Sequence, residues 1–97
     1  MTDVVLISVA EGVATVTLNR PAKKNAITTA MYTALADALD AAEADADVRA
    51  VLLRGDETVF CAGNDIGDFL DRPEAGPDDP GFRFLRTIAR FPKPLVA

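Results

Sequence analysis

The sequence predicts an α/β fold, and three features carry that prediction. Two β-branched stretches, Val4 to Val9 and Val13 to Leu18, flank a short connection that ends in Gly12. Met31, Leu35 and Leu39 recur every four positions, the period of a helix with one apolar face. Val48 to Leu53 is a nearly unbroken apolar run, and a glycine-containing turn, Phe60 to Ile66, follows it. A strand, a helix and a second strand in that order form a parallel crossover.

The first element is a hairpin. Ala10-Glu11-Gly12 is short enough to join two antiparallel strands. Along the second strand Val13, Thr15 and Thr17 share one face, and Ala14, Val16 and Leu18 share the other, which reads as the core side. Asn19-Arg20-Pro21 ends that strand, because Pro21 has no amide and holds Arg20 extended. The loop that follows carries Arg20, Lys23 and Lys24, in a chain that is otherwise acidic. Such a cluster reads either as a solvated loop or as a contact for an anionic ligand. Asn25 is expected to hold this loop by bonding its own backbone.

A helix is expected from about Thr29 to about Ala44, with Thr28 or Thr29 as its N-cap. Its last turn and the connection after it hold Asp40, Glu43, Asp45 and Asp47, acids at the wrong end of the helix dipole. They read as solvated surface rather than as a metal site. Val48 to Leu53 suits a strand buried on both faces. Val59 and Phe60 are expected to return to the interior. Asp65 to Leu70 can form a short helix, which Asp65 can cap. Asp71 to Gly81, with three prolines and two glycines, reads as a surface loop. Phe82 to Phe91 can be helical, with Phe82, Leu85, Ile88 and Ala89 on its apolar face, and Pro92 limits its extension.

Composition removes several classes of chemistry. The 97 residues contain no His, so imidazole supplies neither a general base nor a metal ligand. The single cysteine, Cys61, allows no internal disulfide and no cysteine-rich zinc site, and without a His to activate it Cys61 reads as a small buried thiol. Net charge is −5, from 15 acids and 10 bases, which argues against nucleic acid as a partner. Met1-Thr2-Asp3 lacks the basic and apolar regions of a signal peptide, and no apolar run is long enough to span a membrane. A cytoplasmic location is expected. Pro92 to Ala97 reads as a turn entering an apolar strand, and this ending is read as truncation of a longer domain.

Specific strings sharpen this picture: Val16-Thr17-Leu18-Asn19-Arg20-Pro21, Asn25-Ala26-Ile27 ahead of the Met31/Leu35 helix, Val48 to Gly55, Phe60-Cys61-Ala62-Gly63-Asn64-Asp65-Ile66, and Lys93 to Ala97. In this order and spacing the chain resembles the N-terminal portion of the crotonase superfamily, the enoyl-CoA hydratase/isomerase family. The resemblance implies a spiral of β-β-α units. Residues 1–97 would be the N-terminal portion of a crotonase-like domain, truncated before the second oxyanion-hole segment, of a protein that assembles as a homotrimer or hexamer. It implies an acyl-CoA substrate and no permanently bound cofactor or metal.

Two backbone amides form the oxyanion hole in proteins of this kind. By resemblance one of them is the amide of Asn64, the catalytic group expected here. Ala62, Gly63, Asn64, Asp65 and Ile66 would line the coenzyme A site, with Lys23 and Lys24 near its phosphates or ribose. The Asp65 carboxylate reads as structural rather than catalytic. The implied reaction is hydration of a 2-trans-enoyl-CoA. The alternatives are 3,2-enoyl-CoA isomerisation, towards which Cys61 to Asp65 leans, and an inactive fragment or acyl-CoA-binding remnant. The acid/base residues of the family match nothing in this chain: Glu57, Asp65 and Asp68 do not correspond to them.

Overall fold

The computed structural model describes residues 4–67 and 79–97. Strands β1 (Val5–Ala10) and β2 (Val13–Leu18) form the expected hairpin. Its two-residue turn has Glu11 and Gly12 at φ +52° and +82°, the signs of the turn type that matches strand twist. Helix α1 (Thr29–Ala44) carries the chain to β3 (Ala50–Arg54), which lies parallel to β2. Helix α2 (Pro80–Arg90) precedes β4 (Leu95–Val96), which lies parallel to β3. The sheet order is β1-β2-β3-β4, so two successive crossovers build it outwards from the hairpin.

The core lies between one sheet face and α1. Ala14, Val16 and Leu18 point into it and meet Met31, Leu35, Ala38, Leu39 and Ala42 from the helix. This is the face division that alternation along β2 predicts. Thr28 caps α1 as expected, its hydroxyl accepting from the Met31 amide at 3.2 Å. The acid-rich C-terminal end of α1 finds a cation from outside its own element. The Lys93 ammonium donates to the carbonyls of Ala42 (2.7 Å) and Asp45 (2.8 Å), which offsets the negative end of the helix dipole.

Four expectations are corrected. The buried residues of α2 are Phe84 and Thr87, with Ile88 packed against the core, whereas Phe82 and Leu85 are exposed. The helix starts at Pro80, earlier than the hydropathy pattern indicates, and its docking face is set by α1. Arg83 reaches Asp37 at 2.8 Å and Asp40 at 2.7 Å, and these two carboxylates raise its pKa above the ordinary value, the Asp37 hydrogen bond contributing most. Pro80 and Gly81 therefore belong to the helix rather than to the loop. β3 is not buried on both faces: Val51 is buried, but Leu52 and Leu53 are half-buried. Phe60 does not return to the interior and is exposed, because Asn25 rather than an apolar side chain fills the space beneath its backbone. The expected helix from Asp65 to Leu70 and the loop from Asp71 lie largely outside the described residues.

Candidate functional site

Two loops leave the C-terminal ends of the parallel strands β2 and β3, the edge at which open α/β sheets bind ligands. The first runs from Asn19 to Thr28 and the second from Gly55 to Ile66. They meet in a short parallel ladder. The Ala62 amide donates to the Lys24 carbonyl (3.1 Å), the Ile27 amide to Gly63 (2.8 Å), and the Asp65 amide to Ile27 (2.9 Å).

This ladder fixes where the Asn64 peptide points. Gly63 turns its carbonyl, and Asp65 its amide, towards Ile27. Backbone groups alternate in direction along an extended segment, so the Asn64 amide faces the other way, out of the ladder. Among the described residues no acceptor takes it. Gly63 has φ +106°, a conformation strained for any residue with a Cβ, and the space where a Cβ would sit is open. The turn therefore presents bare main chain to solvent.

Asn25 pins the two loops together. Its side chain is fully buried, and its backbone has φ +60°. The carboxamide oxygen accepts from the Arg20 amide at 2.7 Å, and the carboxamide nitrogen donates to the carbonyls of Phe60 (3.2 Å) and Val59 (3.3 Å). Its contact with its own loop is thus through Arg20, and its other bonds reach across to the second loop, which local sequence could not show. Gly55 packs beneath the same turn. A Cβ there would stand 2.3 Å from the Val59 carbonyl oxygen and 2.4 Å from the Phe60 Cα, so only glycine fits. Asp56 closes the turn by accepting from the Thr58 amide (2.8 Å), the Val59 amide (2.9 Å) and the Thr58 hydroxyl (2.9 Å). Those bonds, the Thr58 amide first, hold its carboxyl below the ordinary Asp value.

A second clamp joins the loops at the ladder's far end. The Arg20 guanidinium donates to Asp65 at 2.6 Å and to the Ala26 carbonyl at 3.0 Å. Of the three bases in the first loop, Arg20 is thereby committed within the protein, and Asp65 is its partner across the loops. Lys23 and Lys24 are exposed, as are Ala62, Gly63, Asn64 and Ile66, while Asp65 is half-buried. Lys24 lies beside Ala62 through the ladder, so the basic loop and the glycine turn share one end of the sheet. Cys61 is half-buried rather than buried, its sulfur accepting from the Gly63 amide at 3.3 Å. Sequence reasoning missed Tyr32 and saw only the local part of Asn25, not its bonds to Val59 and Phe60. Tyr32 lies beside the apolar stripe of α1, and its hydroxyl donates to the Asn64 carboxamide oxygen.

Among the described residues no group of three or more His, Cys, Asp or Glu could hold a metal ion, and no helix is long and apolar enough to cross a membrane.

Comparison with known proteins gives concordant matches. The enoyl-CoA hydratase/isomerase family profile matches residues 8–97. The chain is 37% identical to the 1,2-epoxyphenylacetyl-CoA isomerase of Escherichia coli (strain K12), over 99% of this chain and 39% of that protein. It is 30% identical to the 2,3-dehydroadipyl-CoA hydratase of the same organism, over 95% of this chain and 36% of that protein. In the solved structure of Pseudomonas aeruginosa OdaA, 38% of that chain superposes on 97% of this one, with a TM-score of 0.93 and 42% identity. The chain thus spans well under half the length of these relatives.

Proposed function

The chain belongs to the enoyl-CoA hydratase/isomerase family, and from that premise we propose that it presents the Asn64 backbone amide to the carbonyl oxygen of a coenzyme A thioester. The observation that carries this reading is the direction of that amide, turned out of the Ile27 ladder with no acceptor among the described residues. A thioester oxygen gathers negative charge when the α-carbon loses a proton or the β-carbon is attacked. An N–H already fixed in place stabilises that charge without reorganising at the moment of reaction. Here the fixing comes from the ladder, from Asn25 and from the Arg20–Asp65 pair. In this reading Ala62, Gly63, Asp65 and Ile66 form the wall along which the cofactor lies, with Lys23 and Lys24 available to its phosphates or ribose.

In a chain of its relatives' length, the reaction is hydration of a 2-trans-enoyl-CoA. The second oxyanion donor and the acid/base groups would lie beyond Ala97, in a domain of which residues 1–97 are the N-terminal portion. That protein would be a cytoplasmic homotrimer or hexamer. A second reading, 3,2-enoyl-CoA isomerisation, draws on the likeness to enoyl-CoA delta isomerase 2 of Homo sapiens, 33% identical over 98% of this chain and 26% of that protein. Both readings use the same oxyanion: hydration places the hydroxyl of water on the β-carbon and a proton on the α-carbon, whereas isomerisation removes a proton from the α-carbon and adds one at the γ-carbon. The 97 residues alone hold one donor and no complete acid/base set, and their expected hydratase activity is negligible. Assays of this chain with crotonyl-CoA and with a 3-enoyl-CoA test the proposal: binding without measurable turnover is expected. Robust hydration by these 97 residues would overturn the division of labour, and failure to bind either ester would overturn the site.

A further inference from the structure

We propose that Tyr32 is a positioning residue for the Asn64 peptide, holding it through the bond from the phenol to the Asn64 carboxamide. The proposal rests on the reading of the Asn64 amide as a thioester donor. The ladder fixes Asn64 from one side only, through its neighbours Gly63 and Asp65. The Asn64 side chain is exposed, so without a partner it would be free to rotate in water, and its peptide would be held only through its neighbours, by the ladder, Asn25 and the Arg20–Asp65 pair. Tyr32 supplies that partner.

The phenol is itself well placed for this task. Tyr32 lies in the first turn of α1, where its amide donates to the Thr28 carbonyl at 3.0 Å. Its ring packs on Phe84 of α2, with centroids 5.6 Å apart and planes tilted by 46°. The start of α2 closes over the ring edge, since a Cβ at Gly81 would lie 3.6 Å from it. Asp79 caps that start by accepting from the Gly81 amide at 2.9 Å. Two helices thus determine where the hydroxyl stands. An aromatic side chain with two torsions, packed between helices, loses little further entropy when it makes a hydrogen bond. Tyr32 therefore carries the relative position of α1 and α2 to the one peptide whose direction matters for the proposed chemistry.

The test uses Tyr32→Phe, which keeps the ring against Phe84 and removes only the hydroxyl. In amide NMR spectra of the ligand-free chain, the Asn64 and Asp65 resonances are expected to move while those of β1 and β2 stay in place. Affinity for crotonyl-CoA is expected to fall about three- to tenfold, the worth of one hydrogen bond, with affinity for CoA lacking an acyl group unchanged. In an Asn64→Ala background, where the backbone amide remains but the carboxamide is gone, Tyr32→Phe is expected to have no further effect. An unmoved Asn64 resonance overturns the proposal, as does an equal loss of affinity for CoA and crotonyl-CoA, which would mark a general structural role. If the unsubstituted chain binds crotonyl-CoA no better than CoA, the thioester reading fails. The Asn64 resonance then still decides whether Tyr32 sets that peptide.

Discussion

Replacing Asn25 with alanine removes the element that joins the two loops of the candidate site, and the structure lets its cost be worked out. The side chain is fully buried and bonds to the Arg20 amide (2.7 Å), to the Phe60 and Val59 carbonyls (3.2 and 3.3 Å) and, at 3.4 Å, to the Asp56 carboxylate. Alanine leaves the amide and both carbonyls without Asn25, while Asp56 keeps its bonds within its own turn. A buried group left unsatisfied costs about 1–3 kcal/mol, and the carbonyls, each with two lone pairs, fall at the low end of that range. Position 25 also has φ +60°, a region that asparagine enters more readily than alanine, which adds roughly 0.5 kcal/mol to the cost. Together these give a loss of about 3–5 kcal/mol, a large share of the stability of a small domain. Asn25→Gly should be milder by about 1 kcal/mol, because it relieves the backbone but not the lost bonds. Urea unfolding followed by circular dichroism measures the difference, and Tyr32, the single tyrosine in a chain without tryptophan, provides a second optical probe. An Asn25→Ala chain within about 0.5 kcal/mol of the parent would refute the reasoning, since a surface substitution does no more than that.

Other consequences follow from the same geometry. Gly55→Ala forces a Cβ against backbone atoms at 2.3–2.6 Å that cannot move independently, so a loss of about 2–3 kcal/mol is expected in the same unfolding assay. Asp56 has its carboxyl held below the ordinary value in the folded state, so its contribution to stability is present above the unfolded value near 3.9 and is lost as pH falls through the lower folded value. Unfolding midpoints of the parent and Asp56→Ala chains should therefore converge as pH falls below about 4. Lys93→Met removes the ammonium from the Ala42 and Asp45 carbonyls and should cost about 1 kcal/mol, with faster hydrogen exchange in the last turn of α1 as its local signature.

The sheet was readable from the sequence wherever one residue type implied one environment. Alternation in Val13–Leu18 gave the core face of β2, and the spacing of Met31, Leu35 and Leu39 gave the face of α1. The cap of α1 was narrowed to Thr28 or Thr29, and Thr28 provides it. The failures share a cause: each depended on a partner distant in sequence. The face of α2 that docks, with Phe84 and Thr87 buried and Arg83 paired to Asp37 and Asp40, is defined only once α1 lies beside it. Asn25 looked like a loop residue with local bonds, but its carboxamide nitrogen serves carbonyls 34 and 35 positions away. Arg20 resembled its neighbours Lys23 and Lys24 until the fold brought Asp65 to within 2.6 Å of it. The glycine turn was recognisable as a string, but the direction of its Asn64 amide was not, because that direction comes from a ladder with Ile27.

The central claim is that the Asn64 amide meets the carbonyl oxygen of a coenzyme A thioester, and amide NMR of the chain titrated with crotonyl-CoA, against free CoA as control, tests it most directly. Free CoA has the same nucleotide and pantetheine arm but no acyl carbonyl. The account predicts that Lys23, Lys24 and Ala62 respond to both ligands, whereas the Asn64 amide proton moves downfield only with the thioester, as a donor does on gaining an acceptor. Equal responses of Asn64 to both ligands, or none to either, would contradict it.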